Sequence, residues 1–109
     1  MPILKSKIAL NFDLNNSLLK AHYPSKNYKN AWKDIYNYLI NHDFIHRQYS
    51  GYISNEAVSM IYVTQTITDM SLILDWLQHC VKEFDVTLIG DEFSLKQHFQ
   101  QENNFIKYV

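Results

Sequence analysis

An α+β domain, with helices covering one side of an antiparallel sheet, is the fold class that this sequence predicts, and three observations predict it. Stretches with a period of two, such as Lys7-Ile8-Ala9-Leu10-Asn11-Phe12-Asp13-Leu14, alternate with stretches whose apolar residues recur every three or four positions. If one ambiguous stretch, residues 57–67, is helical, the order of elements reads β-α-β-β-α-β. The chain has 109 residues, 47% hydrophobic and 15% aromatic, enough for one domain with its own core.

The first strand comes from the alternation of Ile8, Leu10 and Phe12 with Ala9, Asn11 and Asp13. One set points into a core and the other presents Asp13 near the strand's end, which makes Asp13 the first candidate for chemistry. Residues 14–24 form a polar connection with an apolar patch at Leu18 and Leu19, consistent with a helical turn ended by Pro24. Ser25 then offers an N-cap. Tyr28, Ala31, Trp32, Ile35 and Leu39 recur at helical spacing and predict a helix through about His42.

Residues 44–48 read as a strand, residues 49–51 as a turn or bulge, and residues 52–54 as a short returning strand, so a hairpin is expected. In residues 57–67 the β-branched side chains favour a strand by propensity. Ala57, Met60, Ile61, Thr64 and Ile67 also make a helical stripe, with Ser54 or Asn55 as its cap. Residues 72–81 continue or follow that helix. Residues 84–89 look like a strand stopped by Gly90, and residues 93–101 like a last amphipathic turn or helix with Phe93 and Phe99 as contacts.

The expected domain therefore spans residues 1–109, with a core at about 7–90 and a C-terminal extension at 91–109. With the ambiguous segment helical, the fold is a ferredoxin-like sandwich, in which the first and third strands are antiparallel neighbours at the centre. That arrangement brings Asp13 and the segment 48–52 together.

Composition narrows the function classes. Ten Lys and Arg against 11 Asp and Glu give a formal charge of −1, which does not favour a strongly basic nucleic-acid binder. The single cysteine, Cys80, has no intramolecular disulfide partner, and the N-terminus lacks the layout of a secretory signal, so the cytoplasm is the expected compartment. No run approaches the roughly 18 apolar residues of a membrane span. Gly51 and Gly90 fall in no phosphate-cradling glycine motif.

Several segments, taken together, carry a family resemblance. Phe12-Asp13-Leu14-Asn15, Leu19-Lys20 with His22-Tyr23, Tyr28 with Asn30-Ala31, Asp34-Ile35, His42 and Phe44 resemble virulence-associated protein D, VapD. The match continues at Gln48, Ser50 and Tyr52 and at Trp76, Cys80 and Val81, and covers roughly residues 8–90 in order. The resemblance implies a ferredoxin-like, homodimeric endoribonuclease that acts as the toxin of a toxin–antitoxin pair, related to the small nuclease-like proteins of CRISPR adaptation. It implies that Asp13 takes part in cleavage and that Ser50 stands where the family's Gln-Gly-Ser serine does. It also favours a helix for residues 57–67. Two positions depart: Tyr49 replaces the glycine between Gln and Ser, and Asp43 replaces the glycine before the second strand's Phe. Tyr49 would narrow access to the site or offer a surface on which a base stacks.

Phosphodiester cleavage needs an activated nucleophile, in-line geometry and neutralisation of charge on the phosphoryl oxygens. A carboxylate serves as general base or holds a divalent metal. On this reading Asp13 and Ser50 are the catalytic candidates, and Arg47, Gln48, Tyr49 and Tyr52 the substrate-binding ones. In a two-fold dimer, Asp13 from both chains would face one scissile bond or share one Mg²⁺ or Mn²⁺. The plainer readings are a strand-end carboxylate capping its turn for Asp13, turn hydrogen bonding for Gln48 and Ser50, and core packing for Tyr52. The i, i+4 pair His42 and His46 is interrupted at Asp43, and Cys80 beside His79 reads as buried packing. Tyr28 and Trp32 are expected to face the core, leaving Tyr36 and Tyr38 partly exposed. The expected partners are RNA, a second copy and an antitoxin protein, with no membrane. The alternatives are a non-catalytic dimeric protein-interaction module, or a CRISPR-adaptation-like DNA nuclease or scaffold.

Overall fold

Alternation of apolar and polar residues builds the central strand, and everything else packs on its apolar face. The structure, a computed structural model, describes residues 4–48 and 50–90; Tyr49 and the expected extension at 91–109 lie outside them. The elements are β1 (Lys7–Leu14), α1 (Asn16–His22), α2 (Asn30–Ile40), β2 (Phe44–His46), β3 (Gly51–Ser54), α3 (Met60–Ile73), α4 (Leu77–Cys80) and β4 (Val81–Gly90). The four strands form one antiparallel sheet in the order β2-β3-β1-β4, the ferredoxin-like order with β1 and β3 adjacent at the centre.

In β1, Ile8, Leu10, Phe12 and Leu14 are buried while Asn11 and Asp13 are exposed, so the period of two sorts the strand as its sequence predicts. The buried set joins Leu19 of α1, Ala31, Ile35 and Leu39 of α2, Val63 and Met70 of α3, and Leu77 and Cys80 of α4 in one core. Fully burying an aliphatic side chain of this size contributes about 1.5–3 kcal/mol. Two polar residues are buried, Ser54 and Thr66; the Ser54 hydroxyl accepts the Ile8 N–H at 3.0 Å.

Helix starts differ from expectation in two places. Ser25 caps no helix; its hydroxyl accepts the Asn27 N–H at 3.3 Å and holds a local turn, so α2 begins only at Asn30. The α3 cap is Ser59, whose hydroxyl accepts the Tyr62 N–H at 3.1 Å, and neither Ser54 nor Asn55 serves. Ser54 is committed to Ile8, and Val58 pairs with Ser6 in an isolated bridge, which keeps the chain extended until Ser59. The buried face of α3 is Val63, Thr66 and Met70, displaced from the expected stripe; Met60, Ile61 and Thr64 are exposed. Asn15 caps α1 by accepting the Leu18 N–H at 3.0 Å. β4 starts at Val81, three residues before the alternation becomes evident, and pairs with β1 from Leu14 to Lys7. No helix of the described residues is long and apolar enough to cross a membrane.

Candidate functional site

The hairpin of β2 and β3 sets the site. Phe44 faces Ser54, Ile45 faces Ile53 and His46 faces Tyr52. Beyond His46 the ladder closes with the Arg47 N–H donating to the Gly51 carbonyl at 2.8 Å, and the turn with the Gly51 N–H donating to the Gln48 carbonyl at 2.7 Å. β3 then lays this turn against β1: Asn11 faces Gly51, and the Phe12 N–H donates to the Ser50 carbonyl at 3.4 Å. The approach is tight: a Cβ on Gly51 would sit 3.0 Å from the Gln48 carbonyl oxygen and 3.1 Å from the Asn11 Oδ1, so a side chain there calls for a shift of a few tenths of an ångström in the turn.

The result is an open cleft of about 800 Å³ whose polar walls are Asn11, His46, Arg47, Gln48 and Ser50, over a floor that includes Phe12. β2 ends at His46, two residues short of the expected strand 44–48, so Arg47, Gln48 and Ser50 all belong to the turn and share one cavity. Asp13 is the next outward-facing residue of β1 after Asn11 and lies outside the cleft wall, exposed, with Glu83 of β4 directly across the ladder. Tyr52 lies behind the cleft, only 3% exposed, with its ring 6.0 Å from that of Phe12 and 4.9 Å from that of His46. Burial, with the Tyr36 phenol nearby adding to it, pushes the Tyr52 hydroxyl up to about 12. Tyr52 is therefore a protonated core phenol. Tyr49 falls outside the described residues.

The donor set allows a simple test of the metal expectation. Among the described residues no three His, Cys, Asp or Glu side chains come together as a metal-holding group. One chain offers Asp13 with Glu83 opposite it, two oxygen donors of the kind Mg²⁺ and Mn²⁺ accept while keeping several waters. The other titratable candidates are spoken for. His42 Nδ1 contacts the Tyr38 carbonyl at 2.7 Å, and its ring stacks on Tyr38 at 4.0 Å. Burial pushes the Cys80 thiol up, as befits a packing residue. Tyr38 is partly exposed, as expected; the rest of its ring packs against the core and its hydroxyl donates to the Thr66 carbonyl at 3.2 Å.

Three residues of the site escaped sequence reasoning. Asn11 carries a signal in hindsight, because it precedes Asp13 by two positions and so shares its side of the strand. His46 directly precedes Arg47 where the hairpin leaves its ladder. Glu83 depends on the β1–β4 register, which the sequence does not encode locally. Comparison with protein-family models and with curated proteins finds no match to this chain.

Proposed function

We propose that this chain is a VapD-like endoribonuclease that cleaves RNA phosphodiester bonds, acting in the cytoplasm as the toxin of a toxin–antitoxin pair. The observation that carries the reading is the Phe12-to-Ser50 backbone contact, which sets a turn rich in phosphate-binding groups against the strand that bears Asp13. In this reading Arg47 neutralises charge on the phosphoryl oxygens, while the Ser50 hydroxyl and the Gln48 amide donate hydrogen bonds to them. Asp13, exposed at the end of β1, takes the proton of the ribose 2′-hydroxyl as its oxygen bonds to the adjacent phosphorus; the phosphorus–O5′ bond breaks and the leaving 5′-oxygen takes a proton from water. Where Mg²⁺ or Mn²⁺ is bound, Asp13 and Glu83, together with Asp13 of a second copy, are the groups to hold it, and the ion supplies charge neutralisation and nucleophile activation. The exposed edge strand β4 supports a homodimer, which would bring two such sites together.

The test is cleavage of a labelled single-stranded RNA by wild type and Asp13→Asn, side by side, with Mg²⁺, with Mn²⁺ and with chelator. Loss of at least about a hundredfold in rate is expected for the variant, the scale of a missing general base. Equal cleavage by both proteins would remove Asp13 from the chemistry. The chelator lane separates metal-held from metal-free catalysis.

A second reading, a non-catalytic interaction module, is favoured by apolar surface: Ile61 is 62% exposed, Leu72 73% and Ile73 67% on α3, and Leu88 61% on β4. Wild type that cuts no RNA, together with an Asp13→Asn variant that folds and binds a protein partner normally, would decide for it.

A further inference from the structure

At the cleft's His46 side stands an aromatic pair that the cleavage chemistry does not use. His46, exposed on β2, lies with its ring 5.6 Å from that of Tyr36 on α2, the two planes at 87°. Tyr36 is 42% exposed although it stands beside the core. Behind His46 the rings continue as a row across the sheet: Tyr52 at 4.9 Å, Phe12 at 6.0 Å from Tyr52, and Phe84 at 5.7 Å from Phe12. All four strands contribute to this row, so its exposed end is held from behind by packed rings. An exposed histidine that lines a cleft also holding a guanidinium and a hydroxyl, with an exposed tyrosine packed against it at the end of a row of packed rings, matches the two halves of a nucleotide. The cleft volume, about 800 Å³, lies inside the roughly 300–1,000 Å³ of sites that enclose one such group.

We propose that Tyr36 and His46, their rings at right angles, form a corner-shaped shelf for one unpaired base of the RNA whose phosphate lies at Arg47 and Ser50, the base stacking on the Tyr36 face and meeting the His46 ring edge-on, so that the protein takes single-stranded rather than duplex RNA. This rests on the nuclease reading and deepens it. A base in a duplex has both faces covered by its neighbours, so only an unstacked base can lie on the shelf. Stacking accepts any base, because each has a π-face, so the shelf selects strandedness and leaves sequence unread.

The experiment is fluorescence anisotropy with a labelled mixed-sequence RNA, alone and annealed to its complement, against the full chain carrying Asp13→Asn to keep the RNA whole. Tyr36→Leu, Tyr36→Phe and His46→Ala are added to that background. Tyr36→Leu is expected to weaken single-strand binding about fivefold to a hundredfold, and Tyr36→Phe to stay within about twofold, since the ring face is kept. Tyr36 is outside the buried core, so its variants fold if the parent does, which near-ultraviolet dichroism checks. His46→Ala is expected to weaken single-strand binding as well; unchanged binding by Tyr36→Leu or by His46→Ala, equal affinity for single strand and duplex, or no binding at all would overturn the shelf. The nuclease reading is judged separately, by loss of cleavage in Asp13→Asn alone. RNA cutting that depends on Asp13 with no effect of Tyr36→Leu on binding would therefore sink the shelf and spare the nuclease.

Discussion

Asp43 is the one described non-glycine residue with a positive φ, 66°. It turns the chain from the end of α2 into Phe44, and its carbonyl accepts the Asn55 N–H at 2.8 Å, so the turn is also pinned to the strand beyond the hairpin. A left-handed residue normally costs about 1–2 kcal/mol because Cβ crowds the following carbonyl, and a short polar side chain such as Asp tolerates it best after Gly. That is why the position which the VapD resemblance assigns to glycine accepts Asp43. Asp43→Val is expected to lose about 1–2 kcal/mol, read as a lower urea midpoint. Asp43→Gly should stay within about 0.5 kcal/mol of wild type, relief of crowding being offset by the greater freedom of the unfolded chain. A Val variant as stable as wild type would mean that the turn relaxes to negative φ.

Among the elements, α3 is where local preference and tertiary context compete. Its segment carries Ile61, Val63, Thr64, Thr66 and Ile67, all β-branched, yet it is helical from Met60 to Ile73. The threonines are accommodated by back-bonding: Thr64 Oγ1 donates to the Met60 carbonyl and Thr66 Oγ1 to the Tyr62 carbonyl, each at 2.8 Å. With propensity weak, the cap matters. Ser59→Ala is expected to cost about 1 kcal/mol in thermal or urea unfolding, with Ser59→Asp retaining most of it. An Ala variant that unfolds with the wild-type midpoint would assign the start of α3 to the Ser6–Val58 bridge instead.

The same helix shows what a sequence can and cannot disclose. β1 was legible because its alternation is itself the burial pattern, which also places Asp13 on the exposed side of the strand. The α3 cap was not, because Ser54, Asn55 and Ser59 are chemically equivalent candidates. What separates them is long-range: Ser54 bonded to Ile8, and Val58 bridged to Ser6. Of the site, Ser50 was legible as a turn residue, while Arg47 and Gln48 belonged to the expected strand 44–48 and leave it because β2 ends at His46; Glu83 becomes Asp13's neighbour only through pairing across most of the described chain. Tyr52, chosen for its hydroxyl, proved more valuable to the fold for its ring.

At the scale of the whole molecule, two phenols, Tyr23 half-buried and Tyr52 buried, link stability to alkaline pH. Tyr23 is pushed up to about 12 by burial first, then by its 2.5 Å hydrogen bond to the Asp34 carboxylate and that group's charge. Tyr52 is pushed up to about 12 by burial and by Tyr36. Both start from an ordinary value of 10.0, which the unfolded chain keeps. Below that pH neither state ionises them and their contribution is intact; between there and about 12 the unfolded chain loses protons that the folded one retains, and stability falls as pH rises. Urea unfolding at about pH 9 and about pH 11 should show the drop, and Tyr52→Phe should make it shallower. An equal drop with and without the Tyr52 hydroxyl would place the alkaline sensitivity elsewhere.

The pairing of β1 has a consequence for how the chain comes to be folded. β1 is synthesised before every other strand, and its hairpin-side neighbour β3 is complete by Ser54. Its other neighbour is β4, where Ile8 meets Leu88 and Leu10 meets Val86, almost at the far end of the described residues. Closing so long a loop loses entropy before any contact repays it, which makes that step slow, and until it occurs the flank of β1 remains an open template for a foreign strand. On the ribosome, the centre of this sheet is the first part made and the last part sealed.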